Sequence, residues 1–123
     1  MNNDSNGPNI ILAGNNFTRI EDSGIETPKL TQTSKIEIKK NIEKIRVEAT
    51  NLIRGADICK YNLKNEENTK KKHIGLVIGG KYKCPEEVIS EDKQGIEIYS
   101  MTAIAWKAIQ ELTERVEKLE GSE

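Results

Sequence analysis

Five apolar residues near the end of the chain, Ala105, Ile109, Leu112, Val116 and Leu119, recur at alternating steps of four and three. That spacing averages about 3.5 residues, the repeat of a left-handed coiled-coil seam. A helix lying alone on a protein surface carries a wider stripe that drifts with the helical period instead. With Ile109 and Val116 at position a and Leu112 and Leu119 at d, Arg115 falls at g and Glu120 at e. Residues at those positions can pair between parallel neighbouring helices, which sets register more than affinity. The seam covers fewer than three heptads, so it equally suits a helix docked on its own domain.

The chain as a whole bears on that choice. Its 123 residues are enough for one domain and too few for two substantial cores. Only 35% are apolar and 32% are charged, which leaves a lean core and points to extra burial through oligomerisation. A formal net charge of −1 argues against a polyanion-binding protein, so no nucleic-acid partner is expected. No apolar run is long enough for a membrane span, and the polar opening MNNDSNGP is unlike a signal peptide, so no membrane partner is expected either. Cys59 and Cys84 stand alone without ligand-like spacing, which predicts buried, reduced thiols, no metal and no cofactor.

The texture changes once, near Thr33. Before it, short β-favouring pieces at residues 10–12 and 17–20 are broken by Gly14, Asn15, Asn16, Gly24 and Pro28. That part cannot bury a core alone. It suits the end of an elongated β structure supplied from upstream, or a tail without fixed structure. After it, Leu52 and Ile53 end the apolar face of a helix that Gly55 can stop. Residues 56–63 alternate as a strand, 64–72 form a charged turn, and the β-branched run at 73–80 predicts a well-buried strand. Pro85 suits the first residue of a short helix. Residues 95–99 read as a last strand, with Ser100 as N-cap of the long terminal helix. The predicted class is α+β, a small antiparallel sheet packed by helices with the terminal helix projecting.

Chemistry-bearing residues are few. A serine attacks only when a base takes its proton, and a desolvated lysine can serve, as in Ser–Lys dyads. Ser34 and Lys39 are candidates for such a pair. Five residues along a helix turn the side chains ~140° apart, and five along a strand put them on opposite faces. They meet only if a turn intervenes or if the base comes from a neighbouring chain. His73, the single histidine, has no carboxylate close by in sequence and is a minor, supporting candidate. The run KKKH at residues 70–73 suits a solvated loop, and GLVIGGK lacks the spacing of a phosphate loop. Tyr99 and Trp106 are expected in the core or in a subunit contact.

Four stretches, taken in order, carry a resemblance. SKIEIKKNIEKI resembles a Ser-Asp-x-x-x-Lys-x-x-Ile opening, and ADICKYNLK with KKHIGLVIG resembles a strand pair. CPEEVI resembles a Pro-x-x-Val segment, and GIEIYSMTAIAWKAIQEL with VEKLE a Tyr-Ser strand end and terminal helix. Together they resemble the C-terminal intramolecular chaperone, or auto-processing, domain of phage tail spikes, tail fibres and neck appendages, best known from endosialidases. The likeness covers about the last three-quarters of the chain, from Ser34 to Glu120.

The resemblance implies a homotrimer that aligns three chains, lets a β-helical stalk zip up, and then cuts itself off. Residues 1–33 would be the end of that stalk and 34–123 the chaperone domain. The cut would fall between Thr33 and Ser34, with Ser34 as nucleophile and Lys39 as base. Lys35 stands where the family has Asp, and a cation there would favour a neutral amine next to it. Ala105, Ile109, Leu112, Val116 and Leu119 would oligomerise the domain. The heptad residues by themselves favour two strands, whereas the family implies three. The partners would be further copies and the upstream stalk. The domain would act in the host cytoplasm during virion assembly, the stalk passing into the virion. The alternative is a trimerisation or receptor-binding tip that does not cleave.

Overall fold

The computed structural model describes residues 19–21 and 24–121, with side chains from Gly24 onward. The chain divides into two compact units, residues 1–41 and 42–123. Contacts thus place Ser34 and Lys39 in the first unit.

In the first unit, β1 (Arg19–Glu21) pairs antiparallel with β2 (Gly24–Glu26), Ile20 opposite Ile25. Gly24 turns the chain at φ +147°, a conformation that favours glycine. Of the β character expected at residues 17–20, Arg19 and Ile20 lie in β1, while residues 10–12, 17 and 18 lie outside the described residues. From Thr27 to Lys35 the chain has no regular secondary structure and bends at Pro28. Lys35 is extended, and the backbone then tightens into a single 3₁₀ turn, Ile36–Ile38. The Lys39 amide closes that turn on the Ile36 carbonyl at 3.0 Å.

The second unit is α+β. Helix α1 (Ala49–Arg54) packs on α2 (Ile98–Gly121), and β3 (Cys59–Tyr61) pairs antiparallel with β4 (His73–Gly75). A 3₁₀ turn at Glu86–Val88 also packs on α2. Ala49, Val88, Ile104 and Ala108 are buried together, with Leu52, Leu76, Cys84 and Ile96 half-buried around them. This core is thin. Ile104 and Ala108 are one helical turn apart, so a single narrow face of α2 serves the domain.

Several element boundaries depart from the sequence expectation. The β-branched run at 73–80 keeps only three residues in the ladder, because β3 offers only three partners. Leu76 then drops toward the core, and Gly79 and Gly80 turn the chain at φ +111° and +62°. Residues 95–99 do not form a strand. Ile96 makes one bridge to Ile89, and the Glu97 carbonyl already accepts the first helical bond from Met101. Ser100 is therefore inside the first turn of α2 rather than its N-cap, its hydroxyl 3.4 Å from Glu97 Oε1. Pro85 precedes its 3₁₀ turn rather than starting a helix. Gly55 closes α1 in a right-handed conformation, its amide bonded to Asn51 O at 3.2 Å. Among the described residues no helix is long and apolar enough to cross a membrane.

Candidate functional site

The 3₁₀ turn at Ile36–Ile38 supplies the bend that neither a helix nor a strand could. Lys39 leaves the turn with extended backbone, and its Nζ donates a hydrogen bond to Ser34 Oγ. The two sequence candidates are thus brought together within one chain. Thr33, Ser34 and Lys39 are all exposed. As an ammonium, the lysine can only donate; stripped of one proton, the same nitrogen would present a lone pair to the hydroxyl.

His73 belongs to the second unit, on β4. Its Nε2 lies 3.1 Å from both carboxylate oxygens of Glu66, and its ring centroid lies 5.5 Å from that of Tyr61, its cross-strand partner, the two rings tilted by 34°. The carboxylate missing from its sequence neighbourhood comes from seven residues back, across the hairpin loop. Glu66 also accepts the Leu63 amide at 2.7 Å. That bond first, and His73 second, hold its carboxyl below the usual range. The imidazole is a clasp on the hairpin.

The seam residues of α2 lie on a different face from Ile104 and Ala108. Ile109, Leu112, Val116 and Leu119 are exposed, and Ala105 is half-buried. An open groove of about 320 Å³ runs among Ile109, Leu112 and Val116. Trp106 is 70% exposed and, with Tyr99, Lys44 and Ile45, lines a second groove of about 800 Å³. A core position for Trp106 and Tyr99 is thereby excluded. Helix α2 docks on its own domain by one face and leaves the heptad face uncovered.

Comparison with protein-family models, curated proteins and solved structures finds no match.

Arg115, whose heptad position can pair with a neighbouring helix, here donates through Nη2 to Glu48 Oε1 and to Thr50 Oγ1 of its own chain. It belongs to a polar lock on the start of α1. Glu111 accepts the amides of Ala49 and Thr50 at 2.8 and 2.9 Å and the Thr50 hydroxyl at 2.9 Å. Lys107 Nζ joins Glu111 at 2.6 Å and the Val47 carbonyl at 2.9 Å. The Lys107 bond first, then the two amides, holds the Glu111 carboxyl down to about 2. Only the i,i+4 spacing of Lys107 and Glu111 was a sequence signal for this lock.

Both cysteines are free and half-buried, and burial pushes the Cys84 thiol up, away from thiolate reactivity. Among the described residues no cluster of His, Cys, Asp and Glu could hold a metal ion.

Proposed function

We propose that this chain is a self-assembling intramolecular chaperone of a phage fibre or neck appendage, which forms a homotrimer through α2 and cuts itself between Thr33 and Ser34. The observation that carries this reading is the Lys39–Ser34 hydrogen bond across one 3₁₀ turn. The uncovered heptad face of α2 supports the assembly half.

The chemistry runs as an acyl shift followed by hydrolysis. Neutral Lys39 takes the Ser34 hydroxyl proton as Oγ adds to the Thr33 carbonyl carbon. The Thr33–Ser34 C–N bond breaks, the lysine returns the proton to the leaving amine, and an ester links Thr33 to Ser34 Oγ. Water then opens the ester to a Thr33 carboxylate and the regenerated hydroxyl. Desolvation is what favours a neutral amine. Because Ser34 and Lys39 are exposed on the single chain, that desolvation falls to neighbouring copies. The cut then reports on correct assembly.

Assembly has a physical purpose in this scheme. Non-local pairing of three stalk strands is slow, because alignment costs entropy before contacts reward it. A domain that trimerises first raises the local concentration of the stalk ends and sets their register. Removing it afterwards leaves the stalk kinetically trapped.

Intact mass and denaturing gels of the purified chain test the reading. A fragment beginning at Ser34 is expected, lost in Ser34→Ala and Lys39→Ala, and hydroxylamine should accelerate release by intercepting the ester. A folded wild-type trimer that stays full length removes the proteolytic half. The heptad face needs neither Ser34 nor Lys39, so that outcome would favour the alternative, a non-cleaving trimerisation or receptor-binding tip.

A further inference from the structure

We infer that in the assembly the lysine-rich β3–β4 hairpin of one copy docks on the acidic segment after Pro85 of the next copy. This deepens the self-assembly reading and rests on it.

Charge in the second unit is segregated. Residues 56–84 hold seven lysines against Asp57, Glu66 and Glu67, while residues 85–97 hold five carboxylates against Lys93. All of those lysines are exposed, and so are all five carboxylates. Among the described residues no ion pair joins the two sets. A nearly neutral chain has no general need for such separation, and three consecutive like charges repel one another.

The two surfaces are built differently from a merely solvated loop. The hairpin loop is organised from within: Asn62 Nδ2 donates to Lys70 O at 3.2 Å, and the Lys70 amide to Glu67 O at 3.0 Å. Glu66 is occupied by Leu63 and His73. Lys70, Lys71 and Lys72 are therefore presented on an ordered frame with their ammonium groups left to solvent. On the acidic side, Asp92 is spent on Ser90 Oγ and the Gln94 amide, and Glu86 on Lys93. Glu87 and Glu91 have no such partner among the described residues. Pre-ordered, oppositely charged surfaces lose little entropy on meeting. Because they are two different surfaces of one chain, their contact is heterologous and repeats from copy to copy, and the homotrimer proposed above requires it to close after three copies.

Sedimentation of the 123-residue chain tests this with the charge variants K70E/K71E/K72E and E87K/E91K and their combination. All five positions are exposed, and circular dichroism checks that each variant folds. Each set alone should weaken association about tenfold, and raising salt from ~50 to ~500 mM should weaken the wild type similarly. The combined variant should recover most of the loss. A wild-type trimer indifferent to salt and to both sets would overturn this contact and leave the assembly reading standing, and so would failure of the combination to recover. A wild type that stays single-copy overturns both. Normal assembly of K70E/K71E/K72E with loss of heparin binding would make the hairpin a polyanion site instead.

Discussion

Glu111, near the middle of α2, accepts both the amide and the hydroxyl of Thr50, at 2.9 Å each. A six-residue helix such as α1 cannot sustain itself, because nucleation consumes most of what its few hydrogen bonds return. A carboxylate reaching from another helix satisfies two of its orphan amides and offsets that cost.

That lock should make stability acid-sensitive. The Glu111 carboxyl sits at about 2 in the folded chain against an ordinary 4.5, so its contribution is complete above pH ~4.5. It is lost progressively as pH falls from there toward about 2, the folded value. Thermal midpoints followed from pH 6 to pH 2 should fall more steeply for wild type than for Glu111→Gln, which should already be several degrees less stable at neutral pH. Parallel curves would show that the carboxylate is not what caps α1.

Two residues on α2 should separate folding from assembly. Ile104 is 5% exposed and anchors the thin core, so Ile104→Ala should cost about 2–4 kcal/mol by denaturant unfolding. Val116 is 52% exposed on the heptad face. Val116→Asp should leave the helical circular dichroism of the chain in place while its sedimentation coefficient drops to that of a single copy. If Val116→Asp assembles like wild type, the heptad face is not the interface.

Arg115 should behave as a fold residue rather than an interface one. Its pair with Glu48 is partly exposed, so Arg115→Gln should cost at most about 1 kcal/mol of stability. Its association constant should match that of wild type. A large loss of association with unchanged stability would return Arg115 to the interchain role that its heptad position suggests.

Lys39→Arg should distinguish a base from a hydrogen-bond donor. A guanidinium can still donate to Ser34 Oγ but does not give up a proton in proteins. Release of the fragment beginning at Ser34 should therefore cease while assembly persists. Cleavage at an undiminished rate would exclude Lys39 as the base.

The sequence legibly held the periodic and chemical parts of this picture. Heptad spacing marked Ile109, Leu112, Val116 and Leu119 as one face, and the structure leaves that face uncovered. Ser34 and Lys39 were marked by residue type, with the condition that a turn lie between them. Whether that turn existed could not be read from five residues, since Ile36, Glu37 and Ile38 suit a strand as well as a bend.

What escaped the sequence depends on contacts far apart along the chain. Arg115 follows a heptad, so local spacing sends it toward a neighbouring helix; only the packing of α1 on α2 puts Glu48 and Thr50 within its reach. His73 found its carboxylate only because the hairpin folds Glu66 back upon it. Ser100 has the chemistry of an N-cap, yet the bridge between Ile89 and Ile96 delivers Glu97 in place to take the first helical bond. Periodicity and side-chain chemistry are local properties, so residue order alone determined the heptad face and the nucleophile–base candidates. Partner choice and element boundaries depend on which distant groups the folded chain brings within hydrogen-bond range, and the tertiary structure decided those.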